Sequence, residues 1–342
     1  MNKVFRKLSV TKLTANFAEA VKIVTQPLQE PAANEVLIKN IYAGVNASDV
    51  NITAGRYFTD AKVPFDVGFE GLGVIAAVGK NVKRYNVGQP TLYLETKAYS
   101  EYVYAKPDNV IPIPELKPKY LTSLVSGLTA SIALDRSGHI KKGETVLITA
   151  AAGGTGHICV QWAKSKGCHV IGTTSSPEKV RLLQDIGCDR VIDYKKENLS
   201  HVLKNEYPKG IDVIWESIGG EIFNTLVKHL KIKGRLIVIG SISGYISGGS
   251  NIDTNITQLT NRLIMKSNSL NGFLLTQFTE DFPQYLPKLM TMLANNELKS
   301  ILDFGDNSSD GQFAGIESVM RAVEHLHSGK STGKVVVKIQ EP

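Results

Sequence analysis

The stretch Val146-Leu147-Ile148-Thr149-Ala150-Ala151-Ala152-Gly153-Gly154-Thr155-Gly156 decides the fold. An apolar run ending at Thr149 leads into a glycine-rich turn, and the turn opens a helical stretch from Thr155 toward Lys166. Strand, turn and helix in that order form the first unit of a dinucleotide-binding fold, where bare backbone lets a pyrophosphate approach the helix N-terminus. Ala152, Gly153, Gly154, Thr155 and Gly156 are therefore candidate cofactor contacts, and Gly156 lets the helix pack closely on the strand. A glycine turn alone often serves only flexibility; the elements on either side make this one specific.

Outward from that turn, strand-like apolar runs recur at Val170 to Gly172, Ile211 to Trp215 and Leu236 to Ile239. Helical stretches begin near Thr155, Pro177 and Glu221. Alternation of this kind predicts an α/β fold with a doubly wound parallel sheet. Ser176-Pro177-Glu178 reads as a helix start, with Ser as cap and Pro at the first helical position. Upstream, residues 8 to 115 are short β-branched runs divided by Gly, Pro and Asn, which predicts a β-rich unit poor in helix. Past residue 264 come a strand-like piece at Ser269 to Phe273, helices near Phe282 to Ala294 and Gly315 to His327, and a closing strand at Val335 to Val337. The expected division is 1–121 for a β-rich domain, 122–263 for the nucleotide domain, and 264–342 for a return segment completing both. Ser241 to Asn251, rich in Ser and Gly, reads as a mobile loop.

At 342 residues the chain exceeds one hydrophobic core, which fits two domains. Its 39 Lys and Arg against 32 Asp and Glu give +7, but the basic residues are dispersed apart from small groups such as Lys141-Lys142 and Lys195-Lys196. Nucleic acid would want a basic stripe with aromatics, and a membrane surface a basic amphipathic helix; neither pattern is present. The three cysteines, Cys159, Cys168 and Cys188, lack C-x-x-C spacing and read as structural thiols in a reducing compartment. No apolar run approaches the roughly 18 residues of a membrane span. Met1 to Val10 is basic without an apolar signal core, and Lys338 to Pro342 carries no Ser-Lys-Leu address. A soluble protein that is not secreted is expected.

The run after the second strand, Thr173-Thr174-Ser175-Ser176, stands where NAD-dependent folds place an acid for the ribose 2′-hydroxyl. With hydroxyls at Thr174 and Ser175, and Lys179 beyond, a 2′-phosphate is accommodated instead, so NADPH is expected over NADH. Serines here also suit helix capping, and one residue can do both.

Several segments resemble the medium-chain dehydrogenase/reductase superfamily: Ala151 to Gly156, Gly68-Phe69-Glu70-Gly71-Leu72-Gly73, Gly44-Val45-Asn46-Ala47-Ser48-Asp49 and Ser217-Ile218-Gly219-Gly220. Others, including Ala54-Gly55-Arg56-Tyr57 and Gly240-Ser241-Ile242-Ser243-Gly244-Tyr245, are similar to the prostaglandin reductases in its zinc-free, quinone oxidoreductase-like branch. The resemblance runs almost end to end. It implies a GroES-like catalytic domain built from both chain ends around a Rossmann domain, and NADPH-dependent reduction of 15-oxo-prostaglandins at the 13,14 double bond. It also implies a homodimer and a peroxisomal or cytoplasmic location. Zinc-dependent members place Cys and His ligands where this chain has Asn46 and Phe69, and His139, His157 and His229 show no ligand spacing, so no metal is expected.

Enone reduction needs hydride at the β-carbon, donors for the enolate oxygen, and a proton at the α-carbon. By resemblance, Tyr57 is a candidate proton donor, Asn46 lines the nicotinamide pocket, and Tyr245 is a candidate catalytic residue that bonds the nicotinamide ribose and the enolate oxygen. The same resemblance assigns Tyr194 near the 2′-phosphate, Ser217 beside the adenosine, Ile239 and Ser241 near nicotinamide, and Phe273 and Leu274 on the returning segment. Tyr57 and Tyr245 equally suit aromatic packing in loops. Asp49 and Glu70 are left without acid–base roles, since backbone hydrogen bonding would occupy them as well. A quinone or general enone reductase shares these motifs, and a non-enzymatic NADPH-binding regulator shares the cofactor turn.

Overall fold

The structure, a computed structural model, describes residues 3–57, 60–246 and 256–342. Two compact units divide the chain: unit 1 is Met1–Val125 with Leu302–Pro342, and unit 2 is Ser126–Ile301. The segment 264–342 is thus shared, parting between Ile301 and Leu302. Unit 1 opens with β1 (Val4–Val10), α1 (Phe17–Ala20), β2 (Val21–Pro27), β3 (Val36–Gly44), α2 (Asp49–Thr53), β4 (Phe65–Asp66), β5 (Glu70–Val78), β6 (Pro90–Leu94), β7 (Tyr102–Ala105) and β8 (Val110–Pro112). Unit 2 follows with α3 (Thr129–Ile132), β9 (Thr145–Ile148), α4 (Gly156–Ser165), β10 (His169–Thr174), α5 (Pro177–Asp185), β11 (Arg190–Asp193) and α6 (Leu199–Glu206). It continues through β12 (Ile211–Glu216), α7 (Gly220–Lys228), β13 (Leu230–Val238), α8 (Ile256–Lys266), β14 (Ser269–Gly272) and α9 (Phe282–Ala294). The chain returns to unit 1 as β15 (Leu302–Asp303), α10 (Val319–His327) and β16 (Lys334–Lys338).

In unit 1, β16 pairs antiparallel with β3, Val336 opposite Gly44. Both ends of the chain therefore build one sheet, ordered β15-β16-β3-β5-β6-β8 with β7 also on β3. In unit 2 the strands run β11-β10-β9-β12-β13-β14, and each neighbouring pair is parallel. This is the doubly wound order, and its direction reverses between β9 and β12, where open α/β sheets bind ligands at the strands' carboxyl ends. Val146, Leu147 and Ile148 are fully buried, as a central parallel strand covered on both faces requires.

Several elements differ from the sequence expectation. β10 continues through Gly172 to Thr174, because the glycine sits inside the strand for space: a Cβ there would lie 2.7 Å from Cys188 Sγ and 3.0 Å from Ala151 Cβ. The sequence pattern does not mark α6, whereas β11, the third strand ahead of Tyr194, begins on Arg190, whose charge is spent on Glu197 and Glu206. Ser176 does precede α5 with Pro177 in its first turn, but its hydroxyl makes no cap bond to the helix; it bonds the Glu178 carboxyl instead. The expected helix from Gly315 starts as a 3₁₀ turn at Ile316–Ser318 before α10. Of the loop expected at 241–251, Ser241 to Ile246 carry a 3₁₀ turn at Ile242–Gly244, and 247–251 lie outside the described residues.

Candidate active site

In unit 2 the glycine turn joins the end of β9 to the start of α4. Its bare backbone is required by space: a Cβ on Gly156 would lie 2.2 Å from the Ala150 carbonyl oxygen and 2.8 Å from Ala151 Cα, and one on Gly153 would lie 3.2 Å from the same oxygen. Gly153 donates to Ala150 O at 2.9 Å and accepts the His157 N–H at 3.1 Å, closing the turn on itself. Among the described residues no protein acceptor faces the N–H groups of Gly154 and Thr155. Those amides open a ten-residue helix, α4, and an anionic group docked there would take up the donors its first turn leaves over.

Thr174 is buried, and its carbonyl accepts the Tyr194 N–H at 3.1 Å, so the ends of β10 and β11 are adjacent. Ser175 and Lys179 are half-buried beyond Thr174, and Tyr194 is exposed. No carboxylate is at position 174 or 175, and Glu178 is held in its ionised form by its own backbone, Ser176, and the charges of Lys196 and Lys179. After β12, the Ser217 hydroxyl lies 3.1 Å from that of Thr149, and Glu216 turns its carboxylate onto the N–H groups of Ile218 and Gly219. Burial raises the Glu216 carboxyl against those bonds. After β13, Ile239 is half-buried, and the Tyr245 hydroxyl accepts the Ser241 N–H at 3.2 Å. A Cβ on Gly240 would lie 2.3 Å from that hydroxyl, so the ring closes tightly on the strand end. Phe273 is buried and stacks on Phe278 at 4.6 Å, while the neighbouring Leu274 is exposed. The nominated residues of unit 2 thus follow the carboxyl ends of its strands in sequence, with Gly156 opening α4 and Lys179 in the first turn of α5.

In unit 1, Tyr57 stands on the wall of a cavity of about 780 Å³. Ile52, Phe65, Val67 and Phe69 give it apolar walls, and Asp60, Asp66 and Glu95 with Lys62 and Lys97 line it with charge of both signs. Asn51 Nδ2 donates to the Tyr57 hydroxyl at 3.2 Å, and Arg56 holds the Asn51 amide oxygen at 2.8 Å. With the phenol oxygen receiving that bond, its O–H is oriented as a donor.

Asn46 belongs to a buried polar cluster. Its Oδ1 accepts from Lys334 Nζ at 2.7 Å, and its Nδ2 donates to Glu70 Oε1 at 3.1 Å. The Lys334 ammonium also bonds Val45 O at 2.9 Å and pairs with Glu70, both partners being fully buried. Glu70 Oε2 accepts the Val125 N–H at 2.9 Å. Asp49 Oδ2 accepts from the Asn46 N–H at 2.8 Å and the Tyr99 hydroxyl at 2.5 Å. Burial pushes the Asp49 carboxyl up to about 7, against those two bonds and the charge of Lys334. Asp49 and Glu70 therefore hold backbone and side chains in place, and Lys334, 288 residues from Asn46, has no local signal that would have found it. Phe69 carries no ligand atom and the Asn46 amide is committed to Lys334 and Glu70, so the residues do not fit zinc. Among the described residues no group of three or more His, Cys, Asp or Glu is arranged to hold a metal. No helix there is long and apolar enough to cross a membrane.

Comparison with known proteins fits both units. Residues 32–115 match the alcohol dehydrogenase GroES-like domain, and residues 154–291 match the zinc-binding dehydrogenase family. The chain is 45% identical to prostaglandin reductase-3 of Mus musculus over 344 residues, covering 99% of this chain and 91% of that protein. It is 43% identical to a probable quinone oxidoreductase of Leishmania amazonensis over 340 residues, 98% of each. Among solved structures, Escherichia coli quinone oxidoreductase complexed with NADPH matches with a TM-score of 0.83 at 25% identity, over 97% of this chain and 99% of that one.

Proposed function

Since the chain belongs to the quinone oxidoreductase-like branch of the medium-chain dehydrogenase/reductase family, we propose that it is an NADPH-dependent, zinc-independent enone reductase acting on the 13,14 double bond of 15-oxo-prostaglandins. Two observations carry the reading: in unit 2 a phosphate turn that admits no Cβ at Gly156, and in unit 1 Tyr57 on the wall of a cavity of mixed apolar and charged lining. The turn fits a dinucleotide because its spare amides and lack of side chains match a pyrophosphate. Ala152 to Gly156 hold that pyrophosphate, with Thr174, Ser175, Lys179 and Tyr194 on the 2′-phosphate and Ser217 on the adenosine. Ile239, Ser241, Tyr245, Phe273 and Leu274 hold the nicotinamide end. When bound, NADPH supplies the hydride.

The chain's own residues then have three tasks. Apolar walls at Ile52, Phe65, Val67 and Phe69 take up the substrate's hydrocarbon and exclude water. Tyr57, its oxygen engaged by Asn51, directs its O–H at the oxygen on which charge develops, or passes its proton to the α-carbon. Asn46, its amide held by Glu70 and Lys334, lines the nicotinamide pocket as a fixed wall. The second reading, a quinone reductase, is favoured by the Leishmania and Escherichia coli relatives. Comparing NADPH consumption on 15-oxo-prostaglandin E2, a simple quinone and a short enal separates the two: preference for the prostaglandin supports the first, and turnover of the quinone alone overturns it.

A homodimer is part of the same proposal. Among the described residues β14 ends the parallel sheet, and α8, packed against β13, buries no residue while exposing Ile256, Ile264 and Met265. A terminal strand and a helix with exposed apolar side chains are features that a second copy would cover.

A further inference from the structure

The direction of the phosphate turn is set by a side chain as well as by glycine. His157, fully buried on α4, places Nδ1 2.9 Å from the Gly153 carbonyl oxygen, which also receives the His157 N–H. Across the ring, Nε2 lies 3.2 Å from the N–H of Ile301. A backbone N–H only donates, so Nε2 is the acceptor and Nδ1 carries the proton given to Gly153 O. A trans peptide holds its C=O and N–H on opposite sides. Drawing Gly153 O inward to the imidazole therefore turns the Gly154 N–H outward, to the side where no described protein group accepts it. One helical turn further on, Gln161 accepts the Lys299 N–H at 2.7 Å and donates to Lys299 O at 3.0 Å. The inner face of α4 thus grips Lys299 and Ile301 while the Gly154 amide at its first turn is directed away from them.

We propose that His157 is a positioning residue for the dinucleotide: its imidazole fixes the Gly153–Gly154 peptide so that the Gly154 N–H donates to the pyrophosphate, and anchors that peptide to Ile301. This rests on the NADPH reading above.

The test uses the full chain carrying His157→Leu or His157→Gln, with two probes measured by calorimetry. NADPH contains the pyrophosphate; adenosine 2′-monophosphate carries the adenosine and 2′-phosphate without it. His157→Leu should weaken NADPH about tenfold, the worth of one charge-assisted hydrogen bond, and leave adenosine 2′-monophosphate within about twofold. His157→Gln keeps an N–H for the Gly153 carbonyl and should recover most of the NADPH affinity. Unchanged NADPH affinity in His157→Leu, or equal weakening of both probes, overturns the proposal. Should His157→Leu fail to fold, His157→Gln decides it: a wild-type ratio of the two affinities supports the proposal, and collapse of the ratio overturns it. Wild-type protein that binds neither probe would instead overturn the cofactor reading, and this inference with it.

Discussion

Replacing Asp49 by Asn tests the buried cluster around Asn46 through its pH dependence. Asp49 is completely buried, and its Oδ1 has no hydrogen-bond partner, so ionisation leaves a charge with half its acceptor capacity unused. The groups facing it are the Tyr99 hydroxyl, the Asn46 N–H, the Lys334 ammonium, which favours ionisation, and the Glu70 carboxylate, which opposes it. Its folded value of about 7 lies above the ordinary 3.8. Between those values the folded chain keeps a proton that the unfolded chain gives up, so stability is full below about pH 4 and falls as pH rises through 7. A gap of about three units at roughly 1.4 kcal/mol each amounts to at most ~4 kcal/mol. In the Asp49→Asn variant the amide oxygen could accept both bonds now made to Oδ2, and the amide does not titrate, so the cost of the substitution is independent of pH. Urea unfolding of both proteins from pH 4 to 8 should show the variant gaining on wild type by up to ~4 kcal/mol, levelling above pH 7. A stability difference that stays constant across that range would refute the burial argument.

Other substitutions separate the parts of the site. Gly156→Ala drives a methyl group into the Ala150 carbonyl, 2.2 Å away; we expect about 1 to 3 kcal/mol of destabilisation, with loss of NADPH binding in a fluorescence titration. Tyr57→Phe should lower kcat on an enone about 100-fold while NADPH affinity stays level, and unchanged turnover removes Tyr57 from the mechanism. Lys179→Ala should raise the KM for NADPH about tenfold and leave that for NADH alone; equal effects on both would place Lys179 elsewhere. Ile264→Glu with Met265→Glu should shift the mass measured by light scattering from dimer to monomer.

The nucleotide unit was legible because its signals are local. The run from Val146 to Gly156 contains a buried strand, the turn and a helix start within a dozen residues, and the structure returns each in place. Where local reading fell short, a neighbour distant in sequence had taken control. Gly172 reads as a strand end until Cys188 and Ala151 are seen to need its missing Cβ. Likewise Asn46 is visible as a motif residue, but its partner Lys334 comes from the other end of the chain. His157 is four residues past Gly153 on the buried face of α4, a spacing that would have found its bond to the turn. The hold of Asn51 and Arg56 on Tyr57 has no such regularity.

Transfer of label from the cofactor tests the central claim most directly. Purified protein is incubated with 15-oxo-prostaglandin E2 and NADPH deuterated at the transferable position, and the product is read by mass spectrometry and NMR. The expected result is a 13,14-dihydro product with one deuterium on C13 and a solvent proton on C14. Deuterium on C15 of a 15-hydroxy product, or no consumption of NADPH with any enone, would contradict it.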